Sequence, residues 1–259
     1  MTPENVRDIQ RRLAIAPLSR LPRMIAEYES DERAGVAQAV ATARARLARA
    51  RIERDRVARL YQLENGLRRN GLMVIAGVDE VGRGALAGPV TAAAVVLPSS
   101  PRVPGLDDSK RLLPDRRVEV AEEVHSIAVC SSIAHVHPAE IDAIGISAAV
   151  KRAMTLALGE LSLIPDHVVV DGLPVGVAEG ETAVVKGDSK VAAIAAASVI
   201  AKVARDTLMV SLADEYPQYS FDINKGYGTS DHLAAISEYG LSPLHRRSFS
   251  AAGGTISLF

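Results

Sequence analysis

A mixed α/β domain preceded by a helical extension is the architecture the sequence predicts, and three observations carry it. Two short apolar runs, residues 72–78 and 90–97, flank a glycine turn. A β-branched run follows at His167-Val168-Val169-Val170, with helical periodicity between and after these segments. An Ala- and Arg-rich stretch comes first in the chain, with apolar residues at helical spacing.

The extension reads as follows. Thr2 as N-cap with Pro3 in the first turn predicts a helix running through Val6, Ile9 and Leu13. The stretch from Ala16-Pro17 to Pro22 separates it from a second helix over 34–61, which places Val36, Val40, Ala43, Leu47 and Val57 on one face. Asn65-Gly66 and Asn70-Gly71 mark the exit, so residues 1–66 form the predicted helical extension. Its first 70 residues hold fifteen arginines, no lysine and nine acids, a net charge of +6 against −7 for the remainder. Two readings of those arginines stay open: a solvated face laced by Glu53 and Asp55, or a grip on nucleic acid.

In the body of the chain, the run Leu72 to Val78 predicts a buried strand leading into Asp79-Glu80 and the turn Gly82-Arg83-Gly84. The run Val90 to Leu97 predicts its hairpin partner. A helix over 115–124, a strand over 127–136, and a helix over 138–161 broken near Gly145 come next. The strand His167 to Val170 stops at Asp171-Gly172, and a helix over 191–215 presents a face of small residues suited to close packing on a sheet. Residues 72–250 thus form the predicted α/β domain and residues 251–259 a tail made flexible by Gly253-Gly254.

Composition excludes several classes. Hydrophobic residues at 48% and charged residues at 24% suit a globular protein. No apolar run is long enough to span a bilayer, and the N-terminus lacks the apolar region of a signal peptide. The single Cys130 allows no intrachain disulfide, which fits the reducing cytoplasm. Cys130, His135 and His137 lack the spacing of a zinc site.

The candidate chemistry lies at strand ends. Asp79, Glu80, Asp171 and Asp188 are carboxylates on separate elements, and an oxygen-only set favours Mg²⁺ or Mn²⁺. Asp79 and Glu80 can converge only if the pleat ends there, and the glycine turn is expected to provide that end. Each acid also has a plain structural use: Asp188 as a helix cap, Asp171-Gly172 as a turn pair. Gly82, Gly84 and Gly88 superficially match a dinucleotide loop, but a Pro and a strand follow where a helix is required. Their other use is to bring backbone amides and Arg83 against a sugar-phosphate chain.

Gly77-Val78-Asp79-Glu80-Val81-Gly82-Arg83-Gly84, Gly88-Pro89, Asp108-Ser109-Lys110, Asp171-Gly172, Lys186-Gly187-Asp188-Ser189-Lys190, Ile194 to Asp206, Gly226-Tyr227-Gly228-Thr229 and His245-Arg246-Arg247-Ser248-Phe249 resemble, in order, the motifs of bacterial ribonuclease HII. The helical region before them is similar, more loosely, to an extension on some members. The resemblance implies a ribonuclease H-like fold, a mixed sheet flanked by helices with a helical C-terminal portion. It implies cleavage of the RNA strand of RNA–DNA hybrids and incision beside ribonucleotides embedded in duplex DNA, leaving 5′-phosphate and 3′-hydroxyl ends. Asp79, Glu80 and Asp171 would be metal ligands, Asp188 would complete the catalytic set, and Gly82, Arg83 and Gly84 would contact the backbone around the ribonucleotide. Tyr227 would stack on the next deoxynucleotide sugar, an aromatic on a glycine-flanked loop being a suitable platform.

Two divalent cations, Mn²⁺ or Mg²⁺, would serve as cofactors, so that no nucleophilic side chain is required. Lys110, Lys186 and Lys190 are candidate phosphate contacts or solvated surface lysines. The chain is expected to act as a monomer. Its tail, Thr255-Ile256-Ser257-Leu258-Phe259, resembles the sliding-clamp-binding pentapeptide with Thr255 where that motif prefers Gln; its alternative use is packing onto its own domain. Competing functions are a hybrid-binding module without catalysis and a metal-dependent phosphatase or nuclease of other specificity.

Overall fold

The computed structural model describes residues 4–249, and the chain divides into two compact units, Met1–Ala58 and Arg59–Phe259. In the first, α1 (Val6–Ile15) begins at Asn5, whose side chain accepts the N–H of Arg7 at 3.0 Å. The expected start at Thr2 is thereby corrected: Asn5 takes the extended backbone a cap requires. The supposed separator holds a further helix, α2 (Leu21–Glu27), because Pro22 sits in its first turn where a missing N–H costs nothing. The long helix α3 (Ala34–Leu60) supplies Val36, Val40 and Ala43 to a small core with Ile9, Leu13, Leu21 and Ile25. Glu53 and Asp55 do lace α3, pairing with Arg56 and with Arg51 and Arg54.

The second unit opens with α4 (Gln62–Arg69), which contains Asn65-Gly66, so the exit falls at Gly71 (φ 92°). Next come β1 (Ile75–Val81) and β2 (Val90–Val96), paired antiparallel as the predicted hairpin. After α5 (Pro114–Ile127) and β3 (Cys130–Val136), the predicted broken helix is two helices, α6 (Pro138–Ile144) and α7 (Ile146–Gly159), parted by Gly145 at φ 77°. Then follow β4 (His167–Asp171), β5 (Thr182–Val184), α8 (Ala192–Ala213), α9 (Phe221–Asn224) and α10 (Ser230–Tyr239). The sheet order is β3-β2-β1-β4-β5, with β1 parallel to β4 and β4 parallel to β5. This is a mixed sheet with flanking helices. None of the helices among the described residues is long and apolar enough to cross a membrane.

Covering both faces of β1 makes it read as an almost unbroken apolar run. Gly77 faces α8, and a Cβ there would overlap the Ala193 backbone. Val78 faces the other way, into a core with Ala149, Val150, Ala153 and Met154 of α7. Burying each such Val or Met side chain stabilises the fold by about 1.5–3 kcal/mol. The close α8 contact explains the run of alanines on that helix: only small side chains let backbone approach backbone.

Candidate active site

Because β1 continues through Val81, Asp79 and Glu80 lie inside the strand, paired with Ala93 and Ala92. The expectation that the pleat ends before them is incorrect. Their side chains therefore leave on opposite faces. Asp79 goes to the α8 face, where the Ser198 hydroxyl hydrogen-bonds its carboxylate and its Oδ1 accepts the Glu80 N–H at 2.8 Å. There it meets Asp171, from the end of β4, and Asp188, from a turn before α8. The three offer oxygens that all lie within 4.8 Å of one another, the one such group of potential metal ligands among the described residues. Glu80 is outside this set and lines a cavity on the α7 face with Arg83 and Asp171.

Each member is held by backbone or by a cation. Asp171 Oδ1 accepts the Gly187 N–H at 2.6 Å, tying the end of β4 to the turn that carries Asp188. Asp188 is not a helix cap: the N-cap position of α8 is Val191, and Asp188 Oδ2 instead accepts a hydrogen bond from Lys110 Nζ at 3.1 Å. The cap comes from Glu64 of α4, whose Oε1 accepts the Ala193 N–H at 2.8 Å. Ser109, beside Lys110, places its Oγ 2.9 Å from that of Ser198. The Asp108-Ser109-Lys110 segment thus supports two of the three acids, through a serine pair and through a lysine.

The electrostatics are those of a site short of positive charge. Burial pushes the Asp79 carboxyl well above its ordinary value, and the charges of Glu80 and Asp171 push it further. Burial also raises Glu80, with Arg83 opposing and Asp171 reinforcing. Partial burial works against the Lys110 ammonium, but its hydrogen bond to Asp188 and the charges of Asp188, Asp108 and Asp79 outweigh it and hold its pKa above the usual value. Three converging carboxylate oxygens, with no nitrogen or sulfur donor in the group, fit a hard divalent cation such as Mg²⁺ or Mn²⁺.

The glycine turn sits beside the acids, and its shape is imposed from beneath. Gly82 has φ 87°, and a side chain there would collide with Arg205 and the Pro89 carbonyl. Arg205 donates to the carbonyls of Pro89, Ala87 and Lys225 at 2.9–3.0 Å. Arg246 donates to Gly88 and, at 3.1 Å, to Arg83. Both guanidiniums are buried. Tyr227 lies over Arg205, 5.2 Å from guanidinium carbon to ring centroid, and the preceding Gly226 carbonyl accepts the N–H groups of Leu86 and Ala87. Turn and tyrosine are therefore one assembly.

Of the other predicted contacts, Arg83 is exposed, with its guanidinium 4.0 Å from Glu80. Gly84 is open: among the described residues, chain neighbours aside, no atom lies within 4 Å of where a Cβ would stand. Lys186 is exposed in a left-handed conformation, and Lys190 Nζ donates to the Val185 carbonyl. Sequence reasoning did not single out Glu64, Ser198, Arg205 or Arg246 for these roles. The two arginines stood inside quoted motifs, but nothing local says that a charged side chain turns inward.

The family model of ribonuclease HII matches residues 76–252, and that of the ribonuclease HII N-terminal domain matches residues 5–68. Similar curated proteins include ribonuclease HII of Geobacillus thermodenitrificans, 46% identical over 219 residues, and that of Bacillus cytotoxicus, 42% identical over 219 residues. Each alignment covers 85% of both chains. Among solved structures, the ribonuclease H2 of Pyrococcus horikoshii is similar at 26% identity and a TM-score of 0.59, covering 70% of this chain and 95% of that one. The ribonuclease HII of Archaeoglobus fulgidus, solved as a complex with PCNA, gives the same identity and TM-score over 72% and 100%.

Proposed function

Since the chain belongs to the ribonuclease HII family, metal-dependent endoribonucleases that cleave RNA in RNA–DNA hybrids, we propose that it also incises duplex DNA 5′ of embedded ribonucleotides. The products are a 5′-phosphate and a 3′-hydroxyl. The observation that carries this reading is the convergence of Asp79, Asp171 and Asp188 beside a glycine turn with free space at Gly84.

In this mechanism Asp79, Asp171 and Asp188, with Glu80 from the opposite face, would hold two divalent cations. Those ions, when bound, supply the activation of the attacking water and the neutralisation of the leaving 3′-oxygen. The protein's own groups orient the strand. Arg205 and Arg246 occupy the carbonyls behind the turn, while the N–H groups of Arg83 and Gly84 donate to no protein acceptor among the described residues. Those amides are available to a 2′-hydroxyl and its neighbouring phosphate, and a side chain at Gly84 would fill the space the sugar needs. Tyr227, locked to the turn, offers its ring to the sugar that follows. Lys110, which touches Asp188, and the exposed Lys186 and Lys190 on either side of Asp188 in the chain are read as phosphate contacts.

Residues 1–66 are read as the helical extension, 72–250 as the catalytic domain and 251–259 as the tail. The tail pentapeptide, residues 255–259, lies outside the described residues. Its binding to a sliding clamp is part of the proposal, tested by titrating the isolated peptide against a clamp; no binding at high micromolar concentration ends that part. The activity itself is tested on duplex DNA bearing one ribonucleotide, with Mg²⁺, with Mn²⁺ and with EDTA. Metal-dependent incision 5′ of the ribonucleotide is expected. Binding without incision would favour a hybrid-binding module, and equal cleavage of all-DNA duplex a nuclease of other specificity.

A further inference from the structure

The alternation of β1 divides the site into two halves. Asp79 faces α8, which also carries Arg205 under Tyr227. Glu80 faces α7 and opens into a cavity of about 640 Å³ that no proposed contact fills. Its walls begin at Glu80, Arg83 and Asp171, and continue to Ser147, Lys151 and Leu173. The cavity is therefore lined both by carboxylates of the site and by a second cation, Lys151, beyond Arg83.

We propose that this cavity receives the cleaved strand on the 5′ side of the scissile bond, with Lys151 contacting a backbone phosphate there. The inference rests on the proposed function, because Tyr227 on the α8 face takes the 3′ side. A strand that crosses the carboxylates must leave on the other face, where the cavity lies.

Three observations support a built contact. Lys151 is exposed and makes no ion pair among the described residues, whereas the adjacent Arg152 is paired with Glu140. The loop after β4 is braced from within: Glu181 accepts the N–H groups of Val175, Gly176 and Val177 at 2.6–2.8 Å. A Cβ on Gly176 would stand 3.4 Å from Lys151 Nζ, so the lysine lies along that loop. The same loop presents Leu173, 74% exposed at the cavity wall, an apolar surface suited to the face of a deoxyribose. Away from bound cations, an anion beside Glu80 or Asp171 would be repelled, so a further phosphate lining this cavity is favoured at Lys151.

The test compares full-length wild type, Lys151→Ala and Lys151→Arg on duplex DNA with one ribonucleotide. A single uncharged methylphosphonate is placed in turn at each phosphate on either side of the cleavage point. Lys151→Ala should raise KM roughly fivefold more than it lowers kcat and reduce the slope of log KM against log salt by about 0.9; Lys151→Arg should restore both. At one 5′ phosphate, neutralisation should weaken wild type but not Lys151→Ala. Equal KM and salt slope for Lys151→Ala and wild type would overturn the subsite while wild-type incision leaves the proposed function standing. So would a Lys151→Ala variant that loses sensitivity at a 3′ phosphate instead of a 5′ one. Absence of wild-type incision would remove both.

Discussion

Glu64 Oε1 accepts the backbone N–H of Ala193 at 2.8 Å, so a carboxylate from α4 caps a helix 129 residues further along the chain. That helix sits on β1 at Gly77 and carries Ser198, which holds Asp79. The cap thus bears on the placement of the clustered acids.

Glu64 is buried, its Oε2 has no hydrogen-bond partner among the described residues, and burial raises its carboxyl above the ordinary value. A raised folded pKa means that the folded state binds more protons, so stability declines as pH rises from about 4.5 through the folded pKa. Glu64→Gln keeps an acceptor for Ala193 and removes the charge. It should unfold at an equal or higher temperature at pH 7 and lose the Glu64 part of that decline. Glu64→Ala should cost about 1–2 kcal/mol from the lost cap, measured by urea denaturation.

Asp79→Asn should abolish incision while keeping hybrid affinity within about twofold. Divalent cations should raise the melting temperature of wild type through preferential binding to the folded state, and raise it far less in Asp79→Asn. Cleavage by this variant at more than a few per cent of the wild-type rate would remove Asp79 from the metal site.

Gly82 and Gly84 should separate by mechanism. Gly82→Ala meets Arg205 and Pro89 at a positive φ and should destabilise the fold by about 1–3 kcal/mol. Gly84→Ala meets nothing among the described residues and should fold with wild-type stability, yet raise KM for a ribonucleotide-bearing duplex by at least tenfold. Thermal melts alongside steady-state kinetics distinguish the two.

Tyr227→Ala should narrow the preference for a single embedded ribonucleotide over a continuous hybrid, because the ring that packs on the following deoxyribose is lost. The ratio of kcat/KM on the two substrates is the measurement, and an unchanged ratio counts against junction sensing.

The hairpin of β1 and β2, the break at Gly145 and the alanine face of α8 were all legible, because apolar period, glycine and side-chain size are local properties. Pro22 was misread as a separator because proline both ends a helix and starts one, and only the residues around it in space decide which. Asn65-Gly66 misled for the same reason: its turn preference of about 1 kcal/mol yields to packing of α4 in the second unit.

Sequence alone determined the family, through ordered motifs, and the kinds of atoms available for chemistry: oxygen donors for metal, glycines for close approach, one aromatic on a loop. Tertiary structure decided which of them meet. Adjacent residues on a pleated strand point to opposite faces, so Asp79 joins Asp171 and Asp188 while Glu80 opens toward Lys151. Pairings such as Glu64 with Ala193 and Arg246 with Gly88 link residues more than a hundred positions apart. They exist because buried backbone groups must find partners, and no local pattern records which side chain will reach them.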